Sequence, residues 1–284
     1  MKKILITYGN ERFKHALNRI KNEADQLGIF DKIILYMPKD LPPFIKASPL
    51  MAFQKGGGFW IWKPYLIWKT LQEQSNDAIV IYVDAGCTLG ESKQWEFYFQ
   101  KMTEYDTIVF KYQNNFDYGW HEMFNCNSTS IKHWTKKNTL HYFDVLFENS
   151  EWRNYEKIMG GFIIAKNVNN IIINEWLKIT LLHPELIIDP FGNEIKNQYS
   201  FYTSHRHDQS ILTPLAHYYS KRNSDILILE ETAESGLIEK RTDVAVLATR
   251  KRDIKVNKVT YKTKTIRIIK IIIGERIYNL IHGR

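Results

Sequence analysis

The chain has 284 residues, of which 44% are hydrophobic and 25% charged, enough to bury the core of one large α/β domain or two small ones. Its net charge of +8 is unevenly placed: residues 250–284 hold eleven Lys or Arg against Asp253 and Glu275, so the body is near neutral and the tail is the cation. That argues against a nucleic-acid binder with a basic working face, and two cysteines exclude a disulfide framework and point to a reducing, cytosolic compartment.

Residues 3–8 form a short apolar run, interrupted too soon to be a signal peptide. Phe13, Ala16, Leu17, Ile20, Ala24 and Leu27 recur at helical spacing, so a helix is predicted over 11–27, stopped by Gly28. A second strand follows at 32–37. This strand–helix–strand opening is the usual start of a parallel nucleotide-binding sheet. A Pro-rich loop leads to a helix predicted over 59–73, with Pro64 in its first turns. Residues 77–83 (DAIVIYV) are almost wholly apolar, which suits only the buried centre of a sheet. Further on, helices are expected over 95–102, 168–182 and 208–219, and strands over 107–112, 157–166 and 225–229. Residues 113–157 show weak periodicity, and 183–204 read as a long loop.

Four features carry chemistry. Asp84 ends the most apolar strand and is followed by Ala85 and Gly86, which delivers a carboxylate to the edge where open α/β sheets bind ligands. Asp-x-Gly is also ordinary turn chemistry, and the two readings stand level. His205-Arg206-His207-Asp208-Gln209-Ser210 opens a helix and offers imidazoles, a guanidinium and a carboxylate to phosphates or a metal. Asp208 or Ser210 serves equally well as an N-cap, and the two histidines lack a third ligand nearby. Gly56-Gly57-Gly58-Phe59-Trp60-Ile61-Trp62-Lys63-Pro64-Tyr65 is no P-loop, but Lys63, a cation among aromatics, wants an anionic partner. Gly160-Gly161 within an apolar strand suggests a bulge or something bulky lying against the backbone.

Taken in order, Gly-Gly-Gly-Phe-Trp-Ile-Trp-Lys-Pro-Tyr, Ile-Tyr-Val-Asp-Ala-Gly-Cys, Met-Gly-Gly-Phe and Arg-His-Asp-Gln-Ser-Ile-Leu resemble bacterial glycosyltransferases of capsule and lipopolysaccharide clusters, GT-A enzymes distantly similar to the glycogenin-like group. The resemblance spans roughly residues 1–250. It implies a Rossmann-like, mostly parallel central sheet flanked by helices, and transfer of a sugar from a nucleotide-sugar donor, a UDP-sugar, to a glycan or lipid-linked acceptor. Asp84 matches the first acid of the Asp-x-Asp motif, which holds the donor ribose and the metal–diphosphate. Gly86 replaces the second acid, which puts chelation of Mn²⁺ or Mg²⁺ in doubt and leaves Asp84 a weak metal ligand. Lys63 matches a basic residue placed to touch the donor, and Thr7 and Tyr8 end the strand that holds the base. Gly160 and Gly161 match the strand beneath the donor sugar. Asp208 matches an acid contacting sugar hydroxyls or the acceptor.

Displacing a nucleoside diphosphate from an anomeric carbon builds negative charge on the leaving phosphate, so a cation must meet it. Lys63, Arg206, His207 and Arg250 or Arg252 are the candidates, and Asp208 is the base if the reaction inverts. A sugar nucleotidyltransferase would need a Gly-rich basic loop after the first strand, where Gly9-Asn10-Glu11-Arg12 has one glycine. A glycoside hydrolase would need a second carboxylate paired with Asp84.

Residues 251–284 read as a separate tail. Ile266, Ile269, Ile273, Ile277 and Leu280 recur at intervals of three and four among Lys262, Lys264, Arg267, Lys270 and Arg276. The pattern predicts a basic amphipathic helix lying on the anionic inner face of the cell membrane, unless it packs on the domain instead. Deleting residues 255–284 should leave a folded protein that no longer sediments with anionic liposomes. Undiminished sedimentation, or unfolding of the domain, would contradict the tether.

Overall fold

The computed structural model describes residues 1–251. In chain order, β1 (Lys3–Tyr8) leads through α1 (Lys14–Leu27) to β2 (Lys32–Tyr36), then to two short turns, α2 (Pro43–Lys46) and α3 (Gly56–Phe59), and to α4 (Trp62–Gln72). Next come β3 (Ile79–Val83), β4 (Thr88–Leu89), α5 (Gln94–Glu104), β5 (Thr107–Lys111), α6 (Trp120–Phe124) and α7 (Lys137–Phe147). The chain continues through β6 (Phe162–Lys166), α8 (Ile171–Leu182), α9 (Asp208–Ser220), β7 (Ile226–Glu230), α10 (Ala233–Ile238) and β8 (Val246–Leu247). Six strands form one sheet in the order β2-β1-β3-β6-β5-β7, and β4 pairs with β8 in a small second sheet.

The α/β class and the mainly parallel, helix-flanked sheet agree with the sequence reading. β1 runs parallel to β2 and β3, and β5 parallel to β7. Within the six-stranded sheet β6 alone is antiparallel, to both β3 and β5. Every residue of β3 is buried, as its apolar run requires. α1 ends on Gly28 at φ 62, whose N–H closes onto Ala24 O.

Three local readings change. The helix expected from residue 59 begins at Trp62, because Gly56, Gly57, Gly58, Phe59 and Trp60 all have positive φ and form a left-handed run. Gly58 is obligatory there: at φ +98 a Cβ would also lie 2.6 Å from Met51 Sδ. The strand expected over 157–166 begins only at Phe162, with a single antiparallel bridge between Lys111 and Ile158 before it. In the stretch expected to be irregular, α7 buries Leu140, Phe143 and Phe147, while exposed Val145 and Leu146 blur its period in the sequence.

After β8 the chain runs back beside the end of β3, with Lys251 N–H donating to Gly86 O at 3.0 Å. The predicted tail helix lies outside the described residues. Among the described residues no helix is long and apolar enough to cross a membrane.

The β4–β8 pairing depends on Gly90, whose N–H donates to Ala245 O and whose added Cβ would sit 2.2 Å from Val244 O. Gly90→Ala should therefore cost about 1–3 kcal/mol through overpacking. Thermal melts should show a fall of several degrees, whereas exposed Glu91→Ala stays within about 0.5 kcal/mol of wild type.

Candidate active site

The carboxyl ends of β1 and β3 open onto a cleft of about 640 Å³. Tyr8 enters its wall from β1, Asp84 to Cys87 from the turn after β3, and Tyr112 from the end of β5. Because β6 is antiparallel, its beginning rather than its end reaches this edge, and Asp84 N–H donates to Gly161 O at 2.9 Å.

Beneath the cleft lies a buried charge cluster. The Lys63 side chain is 1% exposed, and its Nζ lies 2.5 Å from Asp208 Oδ2, 2.9 Å from Gly160 O and 3.4 Å from Asp84 Oδ1. Asp208 is buried, whereas the side chain of Asp84 keeps 38% of its surface. Tyr82 Oη donates to Asp84 Oδ1 at 2.5 Å, and the Tyr82 ring lies 5.1 Å from the ammonium. Burial alone would pull the Lys63 pKa down, but the carboxylates of Asp208 and then Asp84 hold it raised. Burial raises the Asp208 carboxyl, and Lys63 opposes that shift. The two glycines make room for this cluster. A Cβ on Gly160 would lie 2.7 Å from Asp208 Oδ2, and one on Gly161 3.0 Å from Asp84 Oδ2. The bulky objects against the backbone are the two acids themselves.

The residues singled out from the sequence therefore divide. Tyr8, Asp84, Ala85, Gly86, Gly161 and Arg250 line the cleft. Lys63 and Asp208 lie behind it, buried and paired to each other, and neither lines the cleft. Thr7 is fully buried and does not reach the cleft. Gly160 serves Lys63 through its carbonyl.

His207 is strained and buried, with φ 49 and ψ −111. Its ring Nδ1 lies 2.8 Å from Ile187 O, a contact that requires Nδ1–H to donate, and Nε2 has no hydrogen-bond partner. Burial and then the Lys55 charge lower its pKa to about 4, so the ring is neutral. It stacks on Trp60, a cleft residue, at 5.3 Å, and its Nε2 lies 3.6 Å from Asp189 Oδ1. His205 has no nitrogen left for a metal: Nδ1 accepts from Lys136 N–H and Nε2–H donates to Leu186 O. Arg206 lies against Phe124 and Trp134, outside the cleft wall.

Sequence reasoning missed Arg12, Glu234 and Trp60 as cleft residues. Glu234 accepts from Tyr112 Oη at 2.7 Å and pairs with Arg250 at 3.2 Å. The start of α10 brings Glu234 to the cleft and the return of the chain after β8 brings Arg250 beside Gly86, and no local motif records either. A metal would have to be held by Asp84, already engaged by Tyr82 and Lys63. Among the described residues no three His, Cys, Asp or Glu side chains come together as a donor set.

No known family profile matches the chain, and no curated protein matches it in sequence. Solved structures align with the chain over most of its length. A glycosyltransferase involved in glycosylation of the major capsid of PBCV-1 aligns at 6% identity and TM-score 0.49, over 87% of this chain and 92% of that one. Mouse xyloside xylosyltransferase 1 aligns at 9% identity and TM-score 0.40, over 82% and 86%. The galactosyltransferase LgtC, solved with donor and acceptor sugar analogs, aligns at 10% identity and TM-score 0.39, over 86% of each chain.

Removing the Lys63 ammonium leaves Asp208 buried beside Asp84 with no counter-charge. Lys63→Met should cost about 3–5 kcal/mol at neutral pH. The Asp208 pKa then rises further above its unfolded value, so the folded state binds the extra proton on acidification. The deficit should therefore be larger at pH 7.5 than at pH 5, read from urea unfolding of both proteins. An equal deficit at both values would show that Asp208 is not the group left uncompensated.

Proposed function

We propose that the protein is a glycosyltransferase of GT-A type that moves a sugar from a nucleotide-sugar donor, a UDP-sugar, to a glycan or lipid-linked acceptor in surface polysaccharide synthesis. The observation that carries this reading is Asp84: a half-exposed carboxylate at the carboxyl end of the central strand, locked by Tyr82 and Lys63, with arginines on the same cleft wall. A fixed acceptor group suits the hydroxyls of a ribose or hexose, and it needs no reorganisation as the reaction proceeds. Arg250 and Arg12 stand where a developing diphosphate charge would be met, the role first considered for Lys63, His207 and Arg206.

The aromatic wall of Tyr8, Phe53 and Trp60 suits a flat base. Burial, and then Asp40, push the Tyr8 phenol up to about 12, so it is a neutral hydroxyl at working pH. Glu234, which faces the cleft beside Tyr112, is better exposed to an acceptor than Asp208. A lipid-linked acceptor would give the basic tail a purpose, by keeping the cleft beside the membrane on the cytoplasmic side.

Incubating the full chain with a panel of nucleotide sugars, with and without EDTA, and measuring free nucleoside diphosphate tests the reading. Release from a UDP-sugar is expected. Asp84→Asn should lower it about 10²-fold or more with an unchanged circular dichroism spectrum. Absence of release from every donor, or wild-type turnover in Asp84→Asn, would sink the proposal.

A further inference from the structure

Two cations beside the cleft have no anion. Lys157 is 3% exposed, and its Nζ lies 3.5 Å from the Trp120 ring centroid, 4.1 Å from Tyr112 and 4.5 Å from Trp134. The Arg206 guanidinium lies 4.6 Å from Trp134 and 4.6 Å from Phe124, and its Nε is buried without a hydrogen-bond partner. Neither side chain pairs with a carboxylate among the described residues. The nearby acids are committed elsewhere. Glu234 is held by Tyr112 and Arg250, and Glu231 accepts from Tyr118 Oη and from the N–H groups of Glu234 and Ser235.

Such an arrangement is costly in a protein left to itself. Burial and then the charge of Arg206 pull the Lys157 ammonium well below the usual lysine range, and burial also lowers Arg206. Aromatic faces repay part of the lost hydration of a cation, but they do nothing for the repulsion between two of them. Lys63, by contrast, has two carboxylates and a carbonyl. The cage lacks an anion, and its position says what brings one: Tyr112 belongs both to the cage and to the cleft wall. Tyr112 is the ring of the cage that lines the cleft, and Arg206 on the far side of the cage keeps part of its surface exposed.

We propose that Arg206, backed by Lys157 within the cage of Tyr112, Trp120, Trp134 and Phe124, binds an anionic group, a carboxylate or a phosphate, carried by the sugar acceptor. The identity of the ligand as acceptor rests on the glycosyltransferase reading; the anion site itself does not. Arg206 makes the contact, and Lys157 stands behind it on the shared Trp134 ring with no carboxylate paired to it among the described residues.

Calorimetric titration of the full chain with methyl β-glucuronide, glucose 6-phosphate and neutral methyl β-glucoside tests the site. At least one anionic probe should bind roughly tenfold tighter than the glucoside, the scale of one charge-assisted hydrogen bond. Tighter binding of the glucuronide assigns a carboxylate, and of the sugar phosphate a phosphate. Arg206→Gln should abolish the advantage, and Lys157→Met should reduce it while leaving the glucoside's affinity as it was. Equal binding of charged and neutral probes overturns the proposal, as does an advantage that survives Arg206→Gln. Should Lys157→Met fail to fold, Arg206→Gln decides alone. Nucleoside diphosphate release by the wild-type chain is measured separately: its absence would remove the donor reading and leave the titrations to judge the anion site.

Discussion

The ion pair between Lys63 and Asp208 is the interaction on which the rest of the site depends. Two charges out of water are tolerated only when each is matched and their remaining hydrogen-bonding capacity is used. Here the ammonium has Asp208, Asp84 and the Gly160 carbonyl, which suits its three donors. One cation against two carboxylates leaves a single excess negative charge. It resides on Asp84, the member whose side chain remains 38% exposed and can be solvated by water or by a ligand. The buried pair thus aims the exposed acid into the cleft.

Most of the architecture could be read from the chain. The apolar run ending at Asp84, the helix stopped at Gly28 and the strand–helix–strand opening are local patterns, and each has the expected structure. The errors came where the local pattern was outvoted. Gly56 to Trp60 looked like a helix entrance but is a left-handed run, with Gly58 held tight against Met51. α7 went unseen because Val145 and Leu146, apolar and exposed, spoil the period of its buried stripe.

The site was legible as a set of residues but not as an arrangement. Asp84, Lys63, Gly160, Gly161 and Asp208 were each singled out, and the structure brings all five within one cluster. Their roles depend on depth, which sequence spacing does not record. Lys63 was read as a cation waiting for a donor phosphate, yet it is 1% exposed and already matched. Glycine at 160 and 161 suggests a bulge or something bulky against the backbone, and the objects there are two carboxylates of the chain itself. The direction of β6 decides this: an antiparallel strand puts its first residues, not its last, at the ligand edge.

The same reasoning about charge separates structural cations from those that await a partner. A buried cation is stable in a fold when its compensation is intramolecular, and Lys63 and Lys136, paired with Glu194 at 3.2 Å, meet that condition. Lys157 and Arg206 do not: they share the Trp134 ring, and the nearest acids are held by other donors. Burying them costs stability that removing either charge would restore, so their presence has to be explained by something outside the described fold. An anion delivered by a ligand supplies the missing compensation at the moment of binding. It would strengthen that contact because the site is poor in water. Charge of opposite sign is then presented at two places: the exposed carboxylate of Asp84 in the cleft, and the cations of the cage, which touches the cleft through Tyr112. A substrate pair with hydroxyls at one end and an anion at the other is what such a field would orient.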